Sequence, residues 1–130
     1  MAAVARREAR ERALSLLYEA EAKEATPAEV LADLPVAPDG FAADLVAGVG
    51  AEAERIDELI GRHAIAWALD RMPAVDRALL RLATYELLAR PDVPTGVVIS
   101  EAVELASSYS TDESSRFVNG VLSAIAAEVR

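Results

Sequence analysis

Four arginines fall within seven residues in Arg6-Arg7-Glu8-Ala9-Arg10-Glu11-Arg12. A guanidinium is planar, permanently charged and forked, so it grips a phosphate bidentately and stacks on a nucleobase. Near the other end, Arg116 stands beside Phe117, and a cation next to an aromatic ring suits the stacking of an unpaired base. Each group also has a plainer reading. Glu8 with Arg12, and Arg7 with Glu11, stand four residues apart, and such pairs add about 0.2–0.5 kcal/mol to a solvated helix. That scheme leaves Arg6 and Arg10 unpaired on one face. Phe117 is also in phase with a buried helix face.

Catalytic chemistry finds little support. With no cysteine there is no disulfide framework, thiolate nucleophile or cysteine metal site, and the lone His63 excludes a site needing two imidazoles. The chain has no glycine-rich phosphate loop, metal-spaced cluster or nucleophile–base pair. Asp112 and Glu113 read as helix-start residues. We expect no enzyme, no cofactor and no metal.

Phe117-Val118-Asn119-Gly120-Val121-Leu122 is the most informative run. Asn-Gly normally marks a hairpin turn. Here Phe117, Val118, Val121, Leu122, Ile125 and Val129 recur at three- and four-residue steps, so the run is helical. Glycine inside a helix costs about 1 kcal/mol relative to alanine. Gly120 therefore implies close approach to the backbone, either by another helix or by a ligand.

Charge is unevenly spread. The net charge is −9, but residues 4–12 carry +2, residues 13–70 carry three basic and twelve acidic side chains, and residues 71–130 carry six and eight. An anionic partner is repelled by the middle and can approach only the two ends. No apolar run approaches the roughly 20 residues of a membrane span, and the N-terminus has no signal-like apolar core. A cytoplasmic protein is the expectation.

The elements that must position these residues are helices. Hydrophobic content is 53% and mean hydropathy +0.20, much of it alanine, which helices favour and strands use poorly. A first helix spans 4–22, with Ala13, Leu14 and Leu17 on its apolar side. Thr26-Pro27-Ala28-Glu29 is a capping box that starts a short second helix, ended by Pro35 and Pro38. Asp39 caps a longer third, through Val49 to Ile60, which Gly48 and Gly50 either kink or open to a close neighbour. Ala64–Met72 is a junction with Trp67 and Leu69 as packing anchors, and the rings of Trp67, Tyr18, Tyr85 and Tyr109 are alternatives to Phe117 for stacking a base, with packing as their plainer reading. Pro73 opens a leucine-rich helix, 74–90, with Asp76 in its first turn and a Glu86–Arg90 pair near its end. Its like-charged Arg77 and Arg81 call for carboxylates on neighbouring helices. Helices over 97–108 and 112–129 follow. The fold class is all-α: one domain over 1–130, built as two small antiparallel helical bundles at about 1–70 and 71–130.

In order along the chain, the elements Ala5-Arg6-Arg7, Ala9-Arg10 leading to Ala13 and Leu17-Tyr18, Pro73-Ala74-Val75-Asp76-Arg77-Ala78-Leu79-Leu80-Arg81, Tyr85-Glu86-Leu87, Asp92-Val93-Pro94, Glu101-Ala102-Val103-Glu104-Leu105-Ala106 and Phe117–Leu122 resemble the NusB family of bacterial transcription antitermination factors. The resemblance covers nearly the whole chain and is poorest at 22–40. It implies an RNA-binding factor that recognises the boxA element of ribosomal RNA leader transcripts. Its partner would be NusE, a small-subunit ribosomal protein, and the pair would join the elongating RNA polymerase. It also implies RNA contact by Arg6, Arg7, Arg10, Arg12, Arg116 and Phe117, and NusE contact by Tyr18 and Asp76. Glu8 and Glu11 dilute the arginine run, and Asp76 stands where the family pattern leads us to expect glutamate.

Two other readings stay open. One is a helical adaptor that binds protein and no RNA. The other is the NusB-like domain of ribosomal RNA methyltransferases, whose catalytic domain 130 residues cannot include. A homodimer burying the arginine helix is a further alternative.

Overall fold

The computed structural model describes residues 2–65 and 67–130, which form seven α-helices and one 3-10 turn with no strand among them. The helices are α1 (Ala2–Ala22), α2 (Pro27–Asp33), α3 (Gly40–Ala51), α4 (Ala53–His63), α5 (Ala74–Ala89), α6 (Thr95–Tyr109) and α7 (Asp112–Val129). The 3-10 turn, Leu69–Arg71, lies in the junction before α5.

Local chemistry explains most boundaries. Thr26 Oγ1 accepts from Glu29 N at 3.1 Å while Glu29 Oε1 accepts from Thr26 N at 3.0 Å, completing the expected capping box of α2. Asp39 caps α3 by accepting from Phe41 N at 2.9 Å, and Thr111 caps α7 by accepting from Ser114 N at 3.0 Å. Helix α1 ends in a Schellman motif, with Ala25 N donating to Ala20 O and Glu24 N to Glu21 O. Its left-handed residue is Glu24, at φ 54°, where glycine is usual.

Packing centres on α5, which buries Asp76, Leu79, Leu80, Leu82, Thr84, Tyr85, Glu86 and Leu87. It lies against α1, α3, α4, α6 and α7. Helices α1, α2 and α3 pack on one another, α4 and α6 pack on α5 or α7, and one continuous hydrophobic cluster joins both sets. That cluster includes Leu16, Leu45, Ile56, Leu79, Leu80, Leu122 and Ile125, all fully enclosed.

The single long third helix is replaced by two. The backbone turns at Glu52, φ −105° and ψ 20°, which lets α3 face α1 and α2 while α4 faces α5 and α7. Gly48 marks the closest approach: a Cβ there would overlap the Tyr85 ring of α5. Gly120 is different. No atom lies within 4 Å of the position its Cβ would take, so no neighbouring helix explains this glycine.

Candidate nucleic-acid interface

Arg6, Arg7 and Arg10 of α1 make long-range ion pairs, and neither of the two local pairs forms. Arg6 reaches Asp92 at 3.3 Å, and Arg7 lies bidentate on Glu101 at 3.1 Å with Glu104 at 2.9 Å. Arg10 donates through Nε and Nη2 to Glu86 at 2.9 and 2.8 Å. Helical phase is the cause. Arg6 and Arg10 share one face of α1, directed at α5 and the turn after it, so the partners come from other elements. Glu86 thereby pairs with Arg10 and not with Arg90, which binds Asp44 and Asp92.

The Arg10–Glu86 pair is enclosed, its side chains 4% and 2% exposed. The Arg10 guanidinium faces no solvent, which removes it as a phosphate contact in this conformation. Instead it fixes α1 to α5. Phe41 completes the cluster, with Arg6, Arg90 and Arg10 lying 4.6, 4.8 and 5.2 Å from its ring centroid. Arg90 and Arg6 together hold the Asp92 carboxyl well below its ordinary value of 3.8, at about 2. Arg7 is raised by its hydrogen bond to Glu101 and the nearby Glu104 charge.

Two of the arginines singled out by sequence keep open guanidiniums. Arg12 and Arg116 are exposed, and neither has an ion-pair partner among the described residues. Tyr109 Oη donates to Glu11 at 2.8 Å, which ties the end of α6 to α1 one residue before Arg12. On α7, Arg116 and Gly120 stand one turn apart and Phe117 adjoins them, so a cation, a ring and bare backbone share a strip. Phe117 is half-buried against the core, with the Trp67 ring centroid 5.2 Å from its own at a 57° tilt.

Tyr18 and Asp76 occupy different surroundings. Tyr18 is 48% exposed on α1, whereas Asp76 is fully enclosed in the first turn of α5. Asp76 Oδ1 accepts from Ser110 Oγ at 2.9 Å, and Oδ2 has no hydrogen-bond partner. Asp76 thus pins the α6–α7 turn to α5 rather than standing at the surface beside Tyr18.

Several other charged groups serve the scaffold. Arg77 donates to Glu21 and to the Leu69 and Met72 carbonyls, and Arg81 binds Asp57 at 2.9 and 3.0 Å, so both find the expected carboxylates. His63 meets Glu128 at 2.8 Å. Arg130 donates to the carbonyls of Glu86, Leu87, Arg90 and Val93, capping the end of α5. An open groove of roughly 880 Å³ lies between α1, α2 and α3 with residues of α4 and α5 in its wall, lined by Leu17, Ala20, Leu31, Val49, Ala78, Glu21 and Asp57. Among the described residues, no group of three or more His, Asp or Glu is placed to hold a metal ion.

Sequence reasoning missed the role of Phe41 and the partner of Glu86. The second left a signal: Glu86 follows Leu79 by seven residues and Leu82 by four, in phase with the buried face of α5.

Comparisons with known proteins agree along the chain. Residues 7–127 match the model of the NusB family. The transcription antitermination protein NusB of Kineococcus radiotolerans is 51% identical over 126 residues, covering 94% of this chain and 93% of that protein. Among solved structures, T. maritima NusB is similar at a TM-score of 0.84 and 36% identity, over 95% of this chain and 91% of that one. A structure of the antitermination factors NusB and NusE in complex with dsRNA is similar at a TM-score of 0.80 and 30% identity, over 95% and 97%.

Proposed function

The chain belongs to the NusB family, and from that premise we propose that it is an RNA-binding transcription antitermination factor. In this reading it recognises boxA of ribosomal RNA leader transcripts together with NusE, and the assembly joins the elongating RNA polymerase. Its role is binding, not catalysis, and its setting is the cytoplasm. No helix among the described residues is long and apolar enough to cross a membrane. Residues 1–130 act as one RNA-binding unit whose helical halves, about 1–70 and 71–130, meet at α5.

One observation carries the RNA contact: the strip of α7 where exposed Arg116, the edge of Phe117 and the uncovered backbone at Gly120 lie together. Phosphates are held by Arg116 and Arg12, and by Arg6 and Arg7 once they exchange carboxylates for phosphates. Arg10 acts indirectly, by fixing the arginine helix on α5. NusE docks on the surface that exposes Tyr18, where the acidic stretch 13–70 favours a basic partner. Asp76 sets the α6–α7 turn from inside.

The paired state of Arg6, Arg7 and Arg10 favours a second reading, a helical adaptor without RNA binding. Charge reversal discriminates. Arg12→Glu with Arg116→Glu should abolish binding of labelled boxA RNA in an anisotropy titration and leave NusE capture intact. Undiminished RNA binding by the doubly reversed protein contradicts the assignment of these arginines, and no RNA binding by the unmodified protein, with or without NusE, selects the adaptor.

A further inference from the structure

Trp67 is the chain's single tryptophan, and it is not used as a core residue. It is 40% exposed in the irregular segment between α4 and α5, and Ile65, two residues earlier, is 97% exposed. Tryptophan is highly buried on average, so an indole this exposed asks for a reason. The indole is nonetheless held in place. Its ring centroid lies 5.2 Å from that of Phe117, in a tilted aromatic contact, and Phe117 is itself packed against the core.

On this basis, and resting on the RNA-binding reading above, we propose that Trp67 is the platform on which an unpaired base of the RNA stacks, with Phe117 as its buttress. Two observations fit a nucleobase better than a protein partner. First, the large exposed apolar side chains of this segment are only Trp67 and Ile65, whereas a specific protein interface buries about 800 Å² on each side. Second, the cations near it in sequence are uncommitted: Arg71, four residues after Trp67, and Arg116, next to Phe117, are exposed without ion-pair partners among the described residues. The division of roles also explains why Phe117 is only half-exposed. Its ring is spent on the core and on the indole, and the indole belongs to the more exposed of the two residues.

A lone tryptophan makes the test direct. Tryptophan emission is recorded during a titration with boxA RNA, in parallel with anisotropy of the labelled RNA. The expected result is saturable quenching with the same midpoint as the anisotropy curve. Trp67→Ala should weaken RNA binding roughly 10-fold or more, the range of removing one base–aromatic stack, while Trp67→Phe retains most of the affinity. Phe117→Leu, which preserves core volume, should lower both quenching and affinity while leaving helix content unchanged. Melting followed by circular dichroism separates a misfolded Trp67→Ala from a folded one, and Trp67→Phe carries the test if the alanine variant fails to fold. RNA that binds by anisotropy with no change in emission overturns the proposal. So does emission that responds to NusE but not to RNA, which would place Trp67 in a protein interface. Absence of any RNA binding by anisotropy instead overturns the RNA-binding reading, and this inference with it.

Discussion

Removing Arg10 while keeping Glu86 isolates the contact that fixes the arginine helix. In Arg10→Met the Glu86 carboxylate loses both of its donors, at 2.9 and 2.8 Å, in a site where the two side chains are 4% and 2% exposed. Water cannot replace the lost hydrogen bonds there. Breaking an enclosed pair in this way costs about 3–5 kcal/mol, a large share of the roughly 5–15 kcal/mol that holds a domain folded. For a chain of this size the melting temperature should fall by roughly 10–20 °C. The double variant Arg10→Met/Glu86→Leu has no stranded charge, and Phe41 keeps Arg6 and Arg90 against its ring. It should recover most of the loss, because apolar replacement of a whole buried pair is often neutral or better. Urea unfolding followed by far-ultraviolet circular dichroism measures both variants. A single variant that loses less than about 1 kcal/mol, or a double variant whose loss equals the sum of the two single losses, refutes the reasoning. The folded double variant should also keep RNA affinity, since Arg10 touches no phosphate in this account.

Other perturbations have opposite signs. Gly120→Ala should stabilise the protein by about 0.5–1 kcal/mol, because its φ is not positive and nothing lies within 4 Å of the new methyl. RNA affinity, read by anisotropy, should fall; a stabilised variant with unchanged affinity counts against backbone approach at α7. Glu24→Gly removes the left-handed strain at the end of α1 and should raise the urea midpoint by a stability of up to about 1 kcal/mol. A loss of stability would show that Glu24 makes a compensating contact. Asp92, held at about 2 instead of 3.8, contributes stability that is present above its ordinary value and is lost as pH falls through about 2. The difference in urea midpoint between the wild-type chain and Asp92→Asn should therefore shrink between neutral pH and pH 2, and a gap that stays constant sinks the argument.

How far the fold was readable depends on whether the determinant was local. The capping box at Thr26, the Asp39 cap and the Pro73 start of α5 are set within three or four residues, and the structure realises each of them. A kink at Gly48 or Gly50 was one alternative in the sequence, but a full break two residues on, at Glu52, was not legible, because neither glycine nor proline sits there. It follows from α3 and α4 facing different partners. The same division applies to the interface. Period and composition marked the arginine run and the Arg116–Phe117 pair, but i,i+4 rules assigned Arg7 to Glu11 when its partners, Glu101 and Glu104, lie some ninety residues away. Gly120 shows the converse case. Its cost inside a helix was visible in the sequence, and the structure removes the neighbouring-helix explanation.

The most direct test of the RNA-binding account is an anisotropy titration of labelled boxA RNA with this protein, alone and with its cognate NusE, beside a scrambled RNA. The account predicts a preference for boxA that tightens when NusE is present, with a salt dependence that steepens as the partner adds phosphate contacts. Equal binding of boxA and scrambled RNA in both conditions, with NusE still captured, would contradict it.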